Sequence, residues 1–364
     1  MLVKEVIAIL ESWAPSFYQE SYDNCGLIVG NRDMLVTKVL ISLDCTEAVV
    51  DEAINEGCNL IVAHHPIVFS GLKRLNGSNY VERTIIKAIK NDVAIYAIHT
   101  NLDNISTGVN QMIADKLGLR HTKILSPKRD LLKKIVTYIP ENEFESVSGA
   151  IFEAGAGHIG NYSHCGFSVQ GEGRFLGNED SNPQIGKKNQ LEKVSERRFE
   201  TIFPSFLQGK IIQALKQSHP YEEVAYDIYS LDNVNPTIGS GMIGQLVKEM
   251  NLSEFLEEVK RQFGLKSIKY TPIDKSIKTI AVCGGSGSFL RIDAFKAGAD
   301  VFLTSDMKYH EWFDAEGLIS YIDIGHFESE QYTRELLLNY LRKNALSLQS
   351  PISKVNTNPV NYYI

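Results

Sequence analysis

The first third of the 364-residue chain alternates continuous apolar runs with segments that are apolar on one helical face only. The continuous runs predict buried strands, at 37–44, 59–65 and 93–99. The one-sided segments predict helices, at 46–57, 80–91 and 106–119. Thr46 and Gly57 are typical of a helix start and a helix end. Apolar strands between amphipathic helices indicate a largely parallel sheet that is covered on both faces.

The last third repeats this alternation. Strands are predicted at 277–285, 298–306 and 318–326. Helices are predicted at 253–264, 307–317 and 327–344. Each of these strands ends in glycine, aspartate or histidine. Both ends of the chain are therefore predicted to be α/β.

The middle of the chain has a different order. Between about 131 and 232 the pattern predicts strand, helix, strand, strand, helix, strand, which fits a ferredoxin-like α+β unit. A polar stretch at 178–190 predicts a loop between the two central strands. We therefore predict an α/β protein in which two α/β segments form one body, interrupted by a ferredoxin-like α+β insertion. The predicted limits are 1–127, 128–233 and 234–364.

Composition narrows the classes of function. The formal net charge of −7 argues against a general nucleic-acid binder, which needs a basic face for phosphates. No apolar run approaches the length of a membrane span, so no membrane partner is expected. The five cysteines are odd in number and include no C-x-x-C pair. We therefore expect a reducing compartment and a cytoplasmic protein.

Chemistry-bearing residues gather at the carboxyl ends of the predicted strands, where open α/β sheets bind ligands. The strand ends carry Asp44, His64, His65, His99, Asp103, Gly284, Gly285, Asp306 and His326. A random scatter of polar residues would not favour one edge so consistently.

Two adjacent histidines are the first candidate ligands. Neighbouring side chains on a strand face opposite sides, and Pro66 ends ladder pairing directly after His65. His64 and His65 can therefore each serve one of two nearby ions. A hydrogen-bonded pair in the core is the structural alternative.

Two further stretches add carboxylates. Asp103 follows the strand that ends near His99, although a turn aspartate is an equal alternative. His326 and Glu330 are four residues apart at a predicted helix start, which stacks them on one face. Glu328 is rotated away from that face and is expected to meet solvent.

These residues form a ligand set for two divalent ions: His64, His65, Asp103, His326 and Glu330. We expect Glu330 to bridge the two ions. Imidazole and carboxylate without thiolate suit zinc, the ion we expect first, and also iron, manganese, cobalt or nickel.

Other groups are predicted to surround the ions. His99 and His310 are candidate proton carriers or supports of the ligands, with a plain structural role as the alternative. Gly284, Gly285 and Gly287 lie in a "GGSGS" stretch between a strand and a helix, so their amides are candidates for binding an anion. No Gly-Lys-Ser/Thr follows, so the stretch is not a P-loop, and a simple tight turn is the alternative.

Six stretches together carry a family resemblance: "YDNCGLIVG", "AHHPIVFSGLKRL", "HTNLDN", "CGGSG", "GADVFLTSDMKYHE" and "GHFESE". They resemble the GTP cyclohydrolase 1 type 2 homologue family, also called the NGG-one-interacting-factor-three family. The middle unit, which ends in "HPYEEVAYDIYSL", resembles the insertion of the longer bacterial members, which is similar to PII-type and CutA-type domains.

The resemblance implies a dinuclear metal site on the same five residues and a ring-shaped homohexamer whose sites face an internal cavity. It also implies a small-molecule substrate, with opening of the GTP imidazole ring by a metal-bound hydroxide and release of formate. Two other functions stay open at this point. One is a non-catalytic regulatory scaffold with the insertion as sensor, and the other is a two-metal phosphoesterase.

Overall fold

A computed structural model describes residues 1–363. Its strands are β1 (Gly26–Val29), β2 (Val39–Ser42), β3 (Leu60–Ala63), β4 (Ala94–Ala97), β5 (Arg120–Pro127), β6 (Leu132–Pro140), β7 (Gly166–Leu176), β8 (Leu191–Pro204), β9 (Tyr226–Leu231), β10 (Gly239–Met250), β11 (Lys269–Tyr270), β12 (Ile277–Val282), β13 (Val301–Thr304) and β14 (Ser320–Asp323). Its α-helices are α1 (Val3–Trp13), α2 (Glu47–Asn55), α3 (Tyr80–Lys90), α4 (Thr100–Asp103), α5 (Val109–Lys116), α6 (Phe144–Glu153), α7 (Gln208–Ser218), α8 (Leu252–Phe263), α9 (Arg291–Lys296), α10 (His326–Glu330) and α11 (Thr333–Asn344). Short 3-10 helices lie at Ser16–Tyr18, Glu141–Glu143, Ser205–Leu207, Ser288–Leu290 and Tyr309–Ala315.

The chain divides into two compact units. Residues 1–127 with 236–363 form the two-sheet unit, and residues 128–235 form the one-sheet unit. The mixed α/β class predicted from the sequence is confirmed. That the one-sheet unit is an autonomous inserted domain stays a prediction. No described helix has the length and apolar character needed to span a bilayer.

The first sheet of the two-sheet unit has the order β1-β4-β3-β2. Strands β2, β3 and β4 are parallel and fully buried, as their continuous apolar runs predict. Strand β1 pairs antiparallel with β4 at the edge. Helix α2 begins after Thr46, whose side chain accepts a hydrogen bond from the backbone N–H of Val49.

The second sheet has the order β11-β14-β13-β12-β10-β5. Only β12, β13 and β14 are parallel, so the prediction of a largely parallel sheet holds for three strands in each sheet. Two antiparallel strands lack the continuous apolar run that predicts a buried strand. Only two residues of β5, Ile124 and Leu125, are buried, and β10 is interrupted by glycines. Pro127 at the end of β5 pairs with Gly239 at the start of β10.

Three predicted helices differ in the structure. The segment 106–119 is helical only over α5, preceded by the unpredicted short helix α4. The segment 307–317 forms the 3-10 helix Tyr309–Ala315. The segment 327–344 is split into α10 and α11, which confines Glu330 to the end of a five-residue helix.

The one-sheet unit runs β6-α6-β7-β8-α7-β9 along the chain. Its sheet is antiparallel throughout, in the order β7-β8-β6-β9. Both helices pack on one face, against the core residues Ile135, Ile139, Phe199 and Phe203. Strand β7 pairs with β8 over the whole length of β7, and the two strands are joined by 177–190, where the polar loop is predicted.

Candidate metal centre

Side chains from both sheets of the two-sheet unit converge at the carboxyl ends of its parallel strands. His64 and His65 follow β3, His99 follows β4, and His326 follows β14. Three groups have ligating atoms within 4.8 Å of one another: His64–His65–His99, His65–His326–Glu330 and His64–Asp103–Glu330. The structure therefore brings all five predicted ligands together, in groups that can bind a metal ion.

His64 is fully buried, and a hydrogen bond to the backbone fixes its neutral ring as the Nδ1–H tautomer. Its Nδ1 donates a hydrogen bond to the carbonyl oxygen of Ile98 (2.7 Å), so Nε2 carries the free lone pair. Nε2 lies 3.6 Å from Oδ1 of Asp103 and 4.0 Å from Oε1 of Glu330. Among the described residues, neither His64 Nε2 nor Asp103 Oδ1 has a hydrogen-bond partner, although both are buried. Buried polar atoms are normally satisfied, and a cation between these two would satisfy both.

His65 and His326 each lie between two carboxylates. Nδ1 of His65 is 2.7 Å from Asp44, and its Nε2 is 2.9 Å from Oε2 of Glu330. Nδ1 of His326 is 2.6 Å from Asp306, and its Nε2 is 3.1 Å from the same Oε2. A carboxylate behind an imidazole orients the ring and raises its basicity as a ligand. Both Nε2 atoms therefore face one glutamate oxygen.

The pKa values of the histidines in the cluster reflect these neighbours. Burial lowers the pKa of His64 to about 3, so this imidazole is neutral. Burial acts the same way on His65, but hydrogen bonds to Asp44 and Glu330 outweigh it and raise the pKa to about 9. The equivalent bonds raise the pKa of His326 to about 11 against its burial.

The two carboxyl groups in the cluster shift in opposite directions. Burial and the nearby charge of Glu330 hold the pKa of Asp103 well above its ordinary value. Burial also acts on Glu330, but hydrogen bonds from His326 and His65 outweigh it and hold its pKa well below the ordinary value. Such divergent pKa values in one small space are typical of functional sites.

The three glycine N–H groups predicted to bind an anion already donate hydrogen bonds within the protein. Their acceptors are Asn110 Oδ1 for Gly284, Ser329 Oγ for Gly285 and Thr304 Oγ1 for Gly287. The structure therefore does not offer these amides to a ligand. Gly285 meets another need, because it adopts φ +60° and a Cβ there would lie 2.4 Å from Oε1 of Glu330. Glycine leaves room for the buried carboxylate.

The two candidate proton carriers have different positions. The His99 ring lies 5.3 Å, between centroids, from the rings of both His64 and His65. Its Nδ1 is 2.8 Å from Oδ1 of Asp23. His310 is exposed on its 3-10 helix and stacks on Phe313, so the structure does not bring it to the cluster.

Asp23 is the functional neighbour that sequence reasoning missed. Its second oxygen accepts hydrogen bonds from the backbone N–H and the hydroxyl of Thr100, which fixes the carboxylate behind His99. Asp23 is 76 residues from His99 in sequence and follows no apolar strand. Its only signal was its place inside the "YDNCGLIVG" stretch.

A cavity of about 340 Å³ opens beside the cluster. His65, His99 and Asp103 form its polar wall, and the rings of Tyr22 and Phe69 line another side. These two rings lie 6.2 Å apart between centroids. The volume and the mix of aromatic and polar walls are typical of a small-molecule site.

A family model described as Duf34/NIF3 (NGG1p interacting factor 3) matches residues 1–359. The chain belongs to the DUF34/NIF3 family. The Halalkalibacterium halodurans member named GTP cyclohydrolase 1 type 2 homolog is 40% identical over 364 residues, covering 98% of each chain. The Bacillus subtilis member of the same name is 38% identical, covering 99% of this chain and 98% of the relative.

Solved structures of the family have the same fold. The Bacillus cereus protein related to NIF3 superposes with a TM-score of 0.86 at 41% identity, covering 100% of this chain and 99% of that one. A Staphylococcus aureus protein superposes with a TM-score of 0.79 at 32% identity, over 100% and 99% of the two chains. Membership of the NIF3 family is thus supported by sequence and by fold along the whole chain.

Proposed function

We propose that this protein is a dinuclear metal-dependent hydrolase that acts on a C–N bond of a nucleotide-like small molecule. One observation carries the proposal. A buried glutamate presents one oxygen to His64 and the other to His65 and His326, while His64 Nε2 and Asp103 Oδ1 lie buried without partners. These side chains would suit two divalent cations, with Glu330 contributing to both.

The five candidate ligands fall into two groups that would each hold one ion. His64 and Asp103 would hold one ion with Oε1 of Glu330, and His65 and His326 would hold the other with Oε2. Nitrogen and oxygen donors without thiolate suit zinc, with iron, manganese, cobalt and nickel as alternatives. Asp44 and Asp306 keep the imidazoles of the second ion in position.

The ions and the side chains would contribute different parts of the chemistry. A pair of divalent ions supplies a Lewis acid and lowers the pKa of water to near neutrality. His99 lies on the cavity side of the cluster, and Asp23 fixes its ring, so it is placed to exchange a proton with substrate. The rings of Tyr22 and Phe69 can pack against a flat base.

The name of the relatives supports GTP as the first substrate to test, with hydrolysis at the imidazole ring and release of formate. A phosphoesterase is less well supported, because the glycine amides that would bind a phosphate are already donated within the protein. We also propose a homohexamer, on the family resemblance, and a cytoplasmic location, on the reducing environment that the cysteine pattern predicts. Light scattering of the purified chain tests the assembly.

The activity test is formate release. Protein loaded separately with zinc, iron, manganese, cobalt or nickel is incubated with GTP, and formate is measured by a coupled dehydrogenase assay. We expect formate with at least one metal and none with His65→Ala, which removes a ligand. His310→Ala is the matched control, because that imidazole is exposed and away from the cluster. Absence of formate with every metal would remove GTP as the substrate.

A further inference from the structure

Another cavity lies in the one-sheet unit. It has a volume of about 650 Å³, nearly twice that of the cavity beside the histidines. Its floor is the sheet face opposite α6 and α7, and the 177–190 loop forms part of its wall through Pro183 and Ile185. The backbone N–H of Asn182 donates to Oε1 of Glu222 (2.8 Å), which fixes this loop at the cavity.

Glu196 is the charged group at the floor of this cavity. It is only 7% exposed. Its Oε1 accepts a hydrogen bond from the hydroxyl of Tyr221 (2.7 Å), and its Oε2 accepts none from any described residue. The neighbouring arginines are paired elsewhere, Arg197 with Glu141 and Arg198 with Glu200. This carboxylate lines the cavity without a charged partner among the described residues, so a cation bound there would gain a charge-assisted hydrogen bond.

A glycine shapes the space around this carboxylate. A Cβ at Gly173 would lie 2.0 Å from Oε2 of Glu196. Only a residue without a side chain at Gly173 lets the carboxylate keep its position. The backbone of Gly173 is not in the left-handed region, so a side chain added there would act through its contact with the Glu196 carboxylate.

The rest of the lining favours a small organic cation over a metal ion or an anion. Glutamates outnumber arginines in the wall: Glu172, Glu196, Glu222 and Glu223 against Arg174 and Arg198. Tyr138, Phe175 and Tyr221 add aromatic rings, whose faces attract cations. No group of three metal-ligating side chains occurs among the described residues of this unit.

We propose that this cavity binds a small organic cation, an ammonium or amidinium group on an apolar body, with Glu196 as its charged partner. The head group donates hydrogen bonds to Oε2 of Glu196, and the apolar body packs on Phe175 and Tyr221. The site is separate from the metal centre, and its proposal does not rest on hydrolase activity.

The test uses the full chain and two cationic probes, benzamidine and phenethylamine, with neutral benzamide as the matched compound. Binding is measured by saturation-transfer NMR and calorimetry. We expect at least one cationic probe to bind and benzamide not to bind. Glu196→Gln keeps the size and the Tyr221 contact but removes the charge, and should weaken binding about tenfold or more. Glu153→Gln is the control, because it removes an exposed glutamate from α6 of the same unit.

Three results would overturn the proposal: no cationic probe binds, benzamide binds as well as benzamidine, or Glu196→Gln binds like the unchanged protein. If Glu196→Gln does not fold, Gly173→Ala provides the second test. Its methyl group would displace Oε2 while its backbone conformation suits alanine, so folded protein with intact binding would equally contradict the proposal.

Discussion

Glu330 and Glu196 are both buried glutamates, in different units of the chain, and they are built in a similar way. They are 2% and 7% exposed. Each carboxylate lies so close to a glycine that a Cβ would approach its oxygen to 2.4 Å at Gly285 and 2.0 Å at Gly173. In both units a glycine leaves the space that the buried carboxylate occupies.

The neighbours of the two carboxylates differ. Glu330 has the Nε2 atoms of three histidines within 4.0 Å, which are donors to transition metals. Glu196 has a tyrosine hydroxyl and aromatic walls, which are partners of organic cations. If both proposals hold, the side chains around each buried carboxylate decide which kind of cation it binds.

The largest effect is expected when Glu330, the carboxylate proposed to be shared by two ions, is removed. Glu330→Ala should lower metal content from about two ions per chain to well below one, because both ions lose a ligand. The measurement is metal analysis by mass spectrometry after dialysis. Glu328→Ala is the control, since Glu328 accepts a hydrogen bond from Asn358 instead of facing the cluster. Full occupancy in Glu330→Ala would refute the bridging assignment.

Deleting the one-sheet unit should show that the proposed metal site and the proposed organic-cation site are independent. Removal of 128–233 leaves ends that are already neighbours, because Pro127 and Gly239 pair across β5 and β10. We expect a folded chain with unchanged metal content and no binding of benzamidine. Thermal unfolding, metal analysis and calorimetry check these outcomes. An unfolded product would mean that residues 128–233 are needed for the core of the two-sheet unit.

A smaller effect is expected in the number of protons released on binding, which should differ between the metal site and the cavity of the one-sheet unit. In the metal-free protein, hydrogen bonds to carboxylates outweigh burial and hold the pKa of His65 at about 9 and of His326 at about 11. Both imidazoles are therefore protonated at pH 7.5 and must lose protons to bind metal, so affinity should rise from pH 6 toward pH 9. His64 is already neutral, since burial lowers its pKa to about 3.

Calorimetry in buffers of different ionisation enthalpy measures this release. We expect more than one proton per chain on metal binding and none on benzamidine binding to the unchanged protein. Equal heats of metal binding in all buffers would contradict the protonation states of His65 and His326.

That the candidate ligands lie at the ends of buried strands could largely be predicted from the sequence. Continuous apolar runs predict the buried parallel strands, so the carboxyl ends of these strands could be located without a structure. His64, His65 and His326 lie within a few residues of such ends, and Glu330 is one helical turn beyond His326. Local periodicity and strand geometry were sufficient for this part.

The rest depended on long-range contacts. Asp23 supports His99 across 76 residues, and Thr357 donates to Asp44 across 313, so neither has a local pattern. The antiparallel strands β5 and β10 are partly exposed or interrupted by glycines, and they lack the apolar run that marks a buried strand.

The sequence by itself determined which residue types end the buried strands, and hence the ligands proposed for the metal centre. Only the tertiary structure decided that Gly285 makes room for Glu330 and that Glu196 lies buried in a cavity without a cationic partner. The physical reason is that strand and helix periods are local properties of the chain. The desolvation of a carboxylate depends on which distant segments pack around it.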